Sequence, residues 1–313
     1  MKTILTDLLI CPACLPEERV LTCDVMERDG EDVISGALRC GECGAGYGIE
    51  DGIAVLTDNR IPDKSRVYQR YEKPALASSY LWSHYADLLN EADASFAYRE
   101  WEKLIDPGPG IALDAGCSVG RFTFEMSRKS DLAIGVDRSV TFIKAARRLM
   151  ADRQIHFDLP EEGLLNEPRM IMLPETWNNG GVEFIVGDAL RLPFPSRLFN
   201  TAASLNLLDK VPFPLRHLKE MNRVAKEDGA QFLFSDPFSW SSDIAEEKDW
   251  LGGTSKGPYA GSGIDNVLSL LQGKDSEISP CWTVEKEGDI WWKIRNHRNH
   301  FELIRSCFIK AIR

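Results

Sequence analysis

The sequence has no long apolar run, a deficit of basic residues, and few cysteines beyond its first segment. No window approaches the roughly 18 to 20 consecutive apolar residues of a transmembrane helix, so no membrane span is predicted. Lysine and arginine number 37 against 48 acidic residues, a net charge of 37 − 48 = −11. This charge argues against a nucleic-acid-binding protein, because such proteins collect phosphates with a positive field. The 43% hydrophobic and 27% charged fractions exclude disordered and collagen-like chains.

The first residues do not predict a secretory signal. Asp7 interrupts the apolar stretch 1–10, and Cys11-Pro12 follows where a cleavage site of small residues would stand. We therefore expect a cytoplasmic protein. A length of 313 residues favours about two domains.

Five of the eight cysteines precede residue 44, and four of these form two C-x2-C pairs. The pairs are Cys11 with Cys14 and Cys40 with Cys43, separated by 25 residues. Two such pairs suit tetrahedral Zn²⁺, whereas a redox pair is the competing interpretation. Four thiolates leave no open coordination position, so we expect residues 1–60 to form a structural zinc ribbon with a folding role or a docking role toward a protein partner.

An acidic residue and a glycine-bearing turn end the first strand of the second part of the chain. The apolar run from Ile111 passes through Asp114 to a turn that contains Gly116 and Gly120, and a helical run begins at Arg121. This is the strand, loop and helix that open a doubly wound α/β sheet, in which cofactors bind at the carboxyl ends of strands. Ser118 stands where a full G-x-G-x-x-G pattern has a glycine, so the loop alone is a weak signal.

Three later strands also end in polar residues. The second predicted strand ends at Asp137, about twenty residues beyond the glycine turn, where a carboxylate can bind a ribose diol. The third ends at Asp188-Ala189, and the fourth ends at Asn206. A nicotinamide dehydrogenase would share the first two features but fits Asp188-Ala189 and Asn206 poorly.

Together these segments resemble the class I S-adenosylmethionine-dependent methyltransferases, which are enzymes with a Rossmann-like, seven-stranded α/β sheet. The resemblance implies such a domain at residues 106–313, with S-adenosylmethionine as its cofactor. It places Asp114, Gly116 and Gly120 around the methionine part, Asp137 at the ribose, and Asp188 with Ala189 at the adenine. Asn206 is expected to contact the cofactor as well. The first 60 residues resemble the small zinc-ribbon proteins that activate or accompany methyltransferases, with Leu8, Leu9 and Cys11-Pro12 at the matching start.

A narrower resemblance runs from near Tyr71 to the end of the chain. Its distinctive pieces are Asp236-Pro-Phe-Ser-Trp240 and Asp249-Trp-Leu-Gly-Gly253. They resemble the carboxy-terminal methyltransferase domain of the ovothiol-biosynthesis enzymes. The resemblance implies a small polar acceptor, an imidazole nitrogen of a histidine derivative. In that family an iron-dependent sulfoxide synthase precedes the domain, whereas a zinc ribbon precedes it here.

Two other functions remain open from the sequence. A zinc ribbon joined to a methyltransferase domain also resembles certain ribosomal RNA guanine methyltransferases, although their catalytic domains lack the pieces just quoted. The second alternative is a non-catalytic scaffold that holds the cofactor while the ribbon docks a partner.

Candidate acceptor-side residues lie on segments that leave the carboxyl edge of the sheet or precede it. We expect residues 61–105 to form a helical linker that covers the cofactor. The candidate catalytic residues are His84, Asn206 and Asp236. The candidate substrate-binding residues are Tyr80, Tyr85, Asp209, Phe238 and Trp240. Trp282, Trp291 and Trp292 alternate in strand-like segments, and no ligand role is assigned to them.

A neutral imidazole is already the main form at neutral pH, so its methylation requires alignment rather than a strong base. The segments 151–181 and 241–263 are longer than ordinary loops of such folds, and we expect them to form lids or binding elements.

Overall fold

The computed structural model describes residues 1–57, 69–89 and 91–313. Its strands are β1 (Leu21–Asp29), β2 (Asp32–Cys40), β3 (Gly46–Glu50), β4 (Ile53–Leu56), β5 (Ile111–Ala115), β6 (Leu132–Asp137), β7 (Gln154–Glu162), β8 (Leu165–Met172), β9 (Val182–Gly187), β10 (Thr201–Leu205), β11 (Gln231–Asp236), β12 (Thr283–His297) and β13 (His300–Ile312). Its helices are α1 (Pro74–Tyr85), α2 (Ala97–Glu102), α3 (Arg121–Met126), α4 (Val140–Asp152), α5 (Pro214–Val224) and α6 (Gly263–Leu271).

Seven strands form the predicted Rossmann-like sheet, in the order β9-β6-β5-β10-β11-β13-β12. The first five run parallel, and β13 runs antiparallel to β11 and to β12. The parallel strands β6, β9 and β10 are buried almost along their whole length. Continuous apolar runs of this kind are typical of strands that helices cover on both faces.

The antiparallel ribbon of the first 57 residues extends this sheet. Its strands β1 to β4 pair in sequence, and β4 then pairs in parallel with β9 through Val55 opposite Val186 and Leu56 opposite Gly187. One sheet of eleven strands therefore runs through both predicted domains. The predicted boundary at residue 60 lies outside the described residues.

The segment expected to cover the cofactor contains α1 and α2 among its described residues. Tyr85 and Trp82 of α1 are completely or almost completely buried, so this segment packs on the sheet domain as an integral layer. Residues 61–68 and 90 of that prediction lie outside the described part of the chain.

The long segment 151–181 contains a β-hairpin. Strands β7 and β8 pair antiparallel from Gln154 opposite Met172 to Glu162 opposite Leu165. Ile155, Leu159 and Ile171 are buried against the core, while Leu164 at the tip is 97% exposed. In the described residues, no helix is long and apolar enough to cross a membrane.

Candidate active site

A cavity of about 430 Å³ opens at the carboxyl ends of the parallel strands. The strand ends that line it include Gly116 after β5, Asp137 at the end of β6, Asp188 after β9 and Asn206 after β10. These residues are far apart in sequence but meet because parallel strands end at the same edge of the sheet. The volume lies in the range of small-molecule sites.

The loop after β5 has left-handed backbone at three residues. Gly116, Ser118 and Gly120 have φ angles of 78°, 51° and 85°. A Cβ atom on Gly116 would approach the Leu207 side chain to 2.9 Å. Glycine therefore allows the loop to pass close to the strand end that carries Asn206.

Gly120 and Asp114 lie outside the cavity lining, whereas the sequence predicts both around the methionine part of the cofactor. A Cβ on Gly120 would meet the ring of Phe184 on β9 at 2.7 Å, so glycine allows the start of α3 to lie close to that strand. Asp114 is buried under the loop and accepts a 2.7 Å hydrogen bond from the Thr123 hydroxyl. Burial raises the pKa of Asp114 to about 7.

Asp137 is held by backbone amides on both sides. Its Oδ2 accepts from Ser118 N at 2.9 Å, and its Oδ1 accepts from Ser139 N at 2.8 Å. Burial raises the pKa of Asp137 to about 6, although these hydrogen bonds oppose the shift. Each oxygen keeps a further lone pair, so the fixed carboxylate can accept hydrogen bonds from a diol.

Asp188 and Ala189 both line the cavity. Asp188 Oδ1 accepts from Leu190 N at 2.9 Å, and the other oxygen lies 3.8 Å from the Arg138 guanidinium. Arg138 also lines the cavity, so this part of the site combines a carboxylate with a cation.

Aromatic residues of the segment 69–105, which we call the covering segment, line one side of the cavity. Tyr71, Tyr80, His84 and Tyr98 line it, and the Tyr80 ring packs 5.0 Å from Phe142. Glu72 joins this segment to α4, because its carboxylate accepts from the backbone amides of residues 140 and 141. In the sequence, Tyr71 marks only the start of the narrower resemblance, and Tyr98 carries no signal of its own.

His84 is buried and electrically neutral at neutral pH. Its Nε2 lies 2.7 Å from the Tyr98 hydroxyl, while Nδ1 has no hydrogen-bond partner among the described residues. Burial, assisted by the Arg121 charge, lowers the pKa of His84 to about 3. At neutral pH this imidazole therefore acts through hydrogen bonds and not as a cation.

Tyr85 lies outside the cavity lining, although it was a candidate substrate ligand. It is fully buried, and its hydroxyl donates to the Val119 carbonyl at 2.9 Å. Tyr85 and His84 are neighbours on α1, so their side chains point to different faces of the helix. Only the face with Tyr80 and His84 meets the cavity.

A buried ion cluster holds the covering segment on the core. Arg121 of α3 donates to the His84 carbonyl at 2.9 Å, to Asp87 at 2.6 Å and to Glu125 at 2.7 Å. The Arg121 side chain has no solvent exposure. This cluster fixes the backbone of the cover directly beside His84.

Asp209 and Asp236 also lie outside the lining and organise the adjacent loops. Asp236 accepts from the amides of Phe238 at 2.7 Å and Asp209 at 3.3 Å, and Asp209 accepts from Ser239 N at 2.8 Å. Burial and the Asp209 charge raise the pKa of Asp236 well above its usual range. Their neighbours Lys210 and Ser239 face the cavity instead.

Phe238 and Trp240 are packing residues rather than the expected cavity walls. The Phe238 ring lies 6.1 Å from that of Phe234, and Trp240 stacks on Trp250 at 6.1 Å with an interplanar angle of 13°. Neither lines the cavity, whereas Pro237 does. In the segment 236–240, the residues at 237 and 239 therefore line the cavity, whereas the sequence predicts those at 236, 238 and 240 there.

The far wall of the cavity comes from the β12–β13 hairpin. Trp292 and Ile294 lie on β12, and Glu302 and Ile304 lie opposite them on β13. Alternate residues of paired strands share a face. Trp292, to which the sequence assigns no ligand role, therefore lies on the face of the hairpin that the topology brings over the strand ends.

The four cysteines of the two C-x2-C pairs converge at the other end of the chain. Their sulfur atoms all lie within 4.8 Å of one another, with 3.7 Å between Cys11 and Cys43 and between Cys14 and Cys40. Tetrahedral thiolates about 2.3 Å from one ion are roughly 3.8 Å apart. The residues present therefore fit one tetrahedral metal ion.

Comparison with known proteins finds a match to the central part of the chain. Residues 113–233 match the family model described as a methyltransferase domain. Ajmaline N-methyltransferase of Rauvolfia serpentina is 24% identical over 160 residues, 51% of this chain and 47% of that protein. Demethylmenaquinone methyltransferase of Staphylococcus aureus is 26% identical over 179 residues, 56% of this chain and 61% of that protein. The chain thus spans about half to three fifths of the curated relatives it matches.

Among solved structures, magnesium protoporphyrin IX methyltransferase from Synechocystis with bound S-adenosylmethionine is 13% identical, with a TM-score of 0.46 over 82% of this chain and 100% of that chain. An S-adenosylmethionine-dependent methyltransferase from Methanosarcina mazei is 20% identical, with a TM-score of 0.40 over 64% and 91%. The family match and the sheet order confirm the predicted Rossmann-like methyltransferase fold. They also support S-adenosylmethionine as the cofactor of this domain.

Proposed function

We propose that this protein transfers a methyl group from S-adenosylmethionine to a small polar acceptor, an imidazole nitrogen of a histidine derivative. The observation that carries the proposal is the cavity at the strand ends, which combines a fixed carboxylate at Asp137 with the aromatic side chains and the neutral His84 imidazole of the covering segment. Its strand-end residues, from Gly116 to Val211, lie within the part of the chain that the family model matches.

The cofactor would lie along the strand ends. Asp137 would accept the ribose hydroxyls, Asp188 and Ala189 would meet the adenine, and the backbone beside Gly116 would approach the methionine part. When bound, S-adenosylmethionine supplies an electrophilic methyl group for in-line displacement. The protein's own task is to align the acceptor nitrogen and exclude water.

The acceptor would lie between the cover and the β12–β13 hairpin. Tyr80 and Trp292 provide aromatic surfaces there, and Ile304 provides an apolar one. Burial between these surfaces disfavours the charged form of the acceptor, although the carboxylate of Glu302 lies on the same face of the hairpin. A neutral imidazole keeps the lone pair that attacks the methyl carbon, and His84 needs no positive charge to orient it.

We also propose a structural zinc ion bound by Cys11, Cys14, Cys40 and Cys43. The sulfur separations support it, and a complete thiolate set provides no open position for substrate. Its role is to fix the ribbon whose last strand, β4, pairs with β9. A further role in docking a protein partner stays a prediction.

The proposal is tested with methyl-labelled S-adenosylmethionine in a metabolite extract that is separated into small-molecule and RNA fractions. We expect label in the small-molecule fraction and in purified imidazole acceptors. Asp137→Ala should reduce transfer at least tenfold. Asp152→Ala, a substitution of an exposed residue of α4, is the control and should retain it.

Other distributions of label would point elsewhere. Label in RNA alone would favour the guanine methyltransferase alternative. Label in neither fraction, together with intact binding of S-adenosylhomocysteine, would favour a non-catalytic scaffold.

A further inference from the structure

Asn206, which directly follows β10, Ser306 of β13 and Trp292 of β12 form a hydrogen-bonded chain that ends at the cavity. The Trp292 indole Nε1 donates to the Ser306 hydroxyl at 3.1 Å, and Ser306 Oγ lies 2.6 Å from Asn206 Oδ1. Ser306 is completely buried, whereas Asn206 and Trp292 line the cavity. We call these three residues the Asn206 relay.

The chemistry of the indole sets the direction of the relay. An indole N–H can only donate, so the Ser306 oxygen is the acceptor in the first bond. The single hydroxyl hydrogen of Ser306 then requires its own acceptor, because an unpaired buried hydrogen is costly. Asn206 Oδ1 is the acceptor within reach among the described residues.

If the Asn206 amide had the opposite orientation, the hydroxyl hydrogen of Ser306 would lack an acceptor among the described residues. With Nδ2 toward Ser306, two donors would converge on one hydroxyl, and its hydrogen would have no acceptor in the described part of the chain. The relay therefore holds Oδ1 inward. The Asn206 backbone is fixed as well, with φ at 57° and its N–H donating to the Ser235 carbonyl at 2.6 Å.

We propose that Ser306 and Trp292 are positioning residues that make Asn206 present its amide N–H, and not its carbonyl, to the ligand. The site then selects a ligand with a hydrogen-bond acceptor atom, such as a carboxylate oxygen, at that point. Lys210 lines the same cavity, with its ammonium 3.0 Å from the Asp209 carboxylate. The oxygen can belong to the methyl acceptor or to the cofactor, and this part of the inference rests on the proposed function.

The orientation is tested by NMR on protein labelled with ¹⁵N-asparagine. The side-chain signal of Asn206 is identified by its absence in Asn206→Asp. We expect this signal to move in Ser306→Ala and in Trp292→Phe, which each interrupt the relay at a different residue. Trp291→Phe is the matched control, because Trp291 is 53% exposed beside Trp292, and it should leave the signal unchanged.

Binding measurements identify which molecule carries the oxygen. Asn206→Asp keeps the acceptor toward Ser306 but replaces the N–H donor with a second oxygen. At least tenfold weaker binding of S-adenosylhomocysteine would assign the oxygen to the cofactor. Unchanged binding with at least a tenfold higher KM for the methyl acceptor would assign it to the acceptor.

The outcomes that overturn the relay differ from those that overturn the proposed function. An Asn206 signal that stays in place in both Ser306→Ala and Trp292→Phe would disprove the orienting role. Cofactor binding and KM that are both unchanged in Asn206→Asp would disprove the donor. The NMR and the S-adenosylhomocysteine titration require no turnover, so absence of methyl transfer would overturn the proposed function alone.

Discussion

Asp137 combines a raised pKa with a position at the mouth of the cavity. Its pKa is about 6, mainly because the carboxyl is buried. Hydrogen bonds from a ribose diol favour the ionised form, so binding must remove the proton when the pH lies below that value.

We therefore expect the affinity for S-adenosylhomocysteine to be constant above pH 7 and to fall as the pH drops through 6. The loss should approach tenfold for each unit below the pKa. Isothermal titration between pH 5 and 8 measures it. Asp137→Asn should bind more weakly and without this dependence. A wild-type affinity that is equally high at pH 5 would contradict the assignment.

His84 has the opposite kind of shift, because burial lowers its pKa from 6.5 to about 3. Between these values the unfolded chain binds a proton that the folded chain does not. The free energy of unfolding therefore falls as the pH drops below 6.5, and this contribution is absent above it.

Substitution of His84 by glutamine should remove part of this slope. At about 1.36 kcal/mol per unit, the wild type should lose about 2 kcal/mol more than His84→Gln between pH 6.5 and 5. Urea unfolding at the two pH values measures the difference. His156→Gln, at an exposed position of β7, should behave as the wild type. Equal slopes in wild type and His84→Gln would show that His84 is protonated in the folded protein.

At the scale of elements, the contact between α3 and the covering segment depends on one arginine. Arg121 faces Asp87 and Glu125, whose side chains are only 3% exposed. Removal of the cation leaves the two buried carboxylates with only half-exposed partners, Arg99 and Arg128.

We expect Arg121→Met to lower the free energy of unfolding by about 3 to 5 kcal/mol, the usual cost of breaking a buried ion pair from one side. Arg128→Met is the matched control, since Arg128 pairs with the same Glu125 but is 42% exposed. Its loss should stay under about 1 kcal/mol. Equal losses in the two variants, measured by urea unfolding, would contradict the role of the buried cluster.

The elements also differ in how far the sequence predicts them. Strands β5, β6, β9 and β10 were predicted, because each is an apolar run that ends in a polar residue at the sheet edge. The β7–β8 hairpin was not, because the segment 151–181 shows no regular alternation along its whole length and contains Pro160 and Pro168. Its register depends on burying Leu159 against the core, which is a tertiary contact.

At the scale of the whole molecule, the ribbon and the methyltransferase domain share one sheet. Beyond the β4–β9 pairing, the Lys2 amide donates to Glu183 of β9 at 2.5 Å, and the Ile10 amide donates to the Pro193 carbonyl at 3.0 Å. Loss of the ribbon therefore removes a neighbour strand from the sheet that carries Asp188.

We expect Cys40→Ser, or removal of metal by a chelator, to lower the melting temperature of the whole protein by roughly 10 °C. This shift follows from a loss of several kcal/mol in the free energy of unfolding, because each kcal/mol lowers the melting temperature by about 2 °C or more. Calorimetry should show one transition, and the affinity for S-adenosylhomocysteine should fall with it. Cys23→Ser, at a cysteine outside the four-sulfur cluster, is the control. Two separate transitions, with the second at its original temperature, would show that the ribbon folds independently.

The sequence by itself determined the fold class, the cysteine cluster and the strand-end residues Gly116, Asp137, Asp188, Ala189 and Asn206 of the cavity. These are local patterns. A pair of cysteines two residues apart predicts a metal ligand pair, and an apolar run with a polar end predicts a strand and its edge residue, each from a few consecutive residues. Tertiary structure decided the rest. Asp114, Asp236 and Phe238 lie beside the cavity residues in sequence but point away from the cavity, because strand alternation and loop turns set their direction.

The hydrogen-bonded partners of Asn206 also came from tertiary structure. Ser306 of β13 lies 100 residues from Asn206 in sequence, and Trp292 lies on β12, the strand that pairs with β13. Only the antiparallel return of β13 beside β11 brings them together. A sequence specifies which residues can donate and accept hydrogen bonds, whereas the packing of distant strands determines which of them meet.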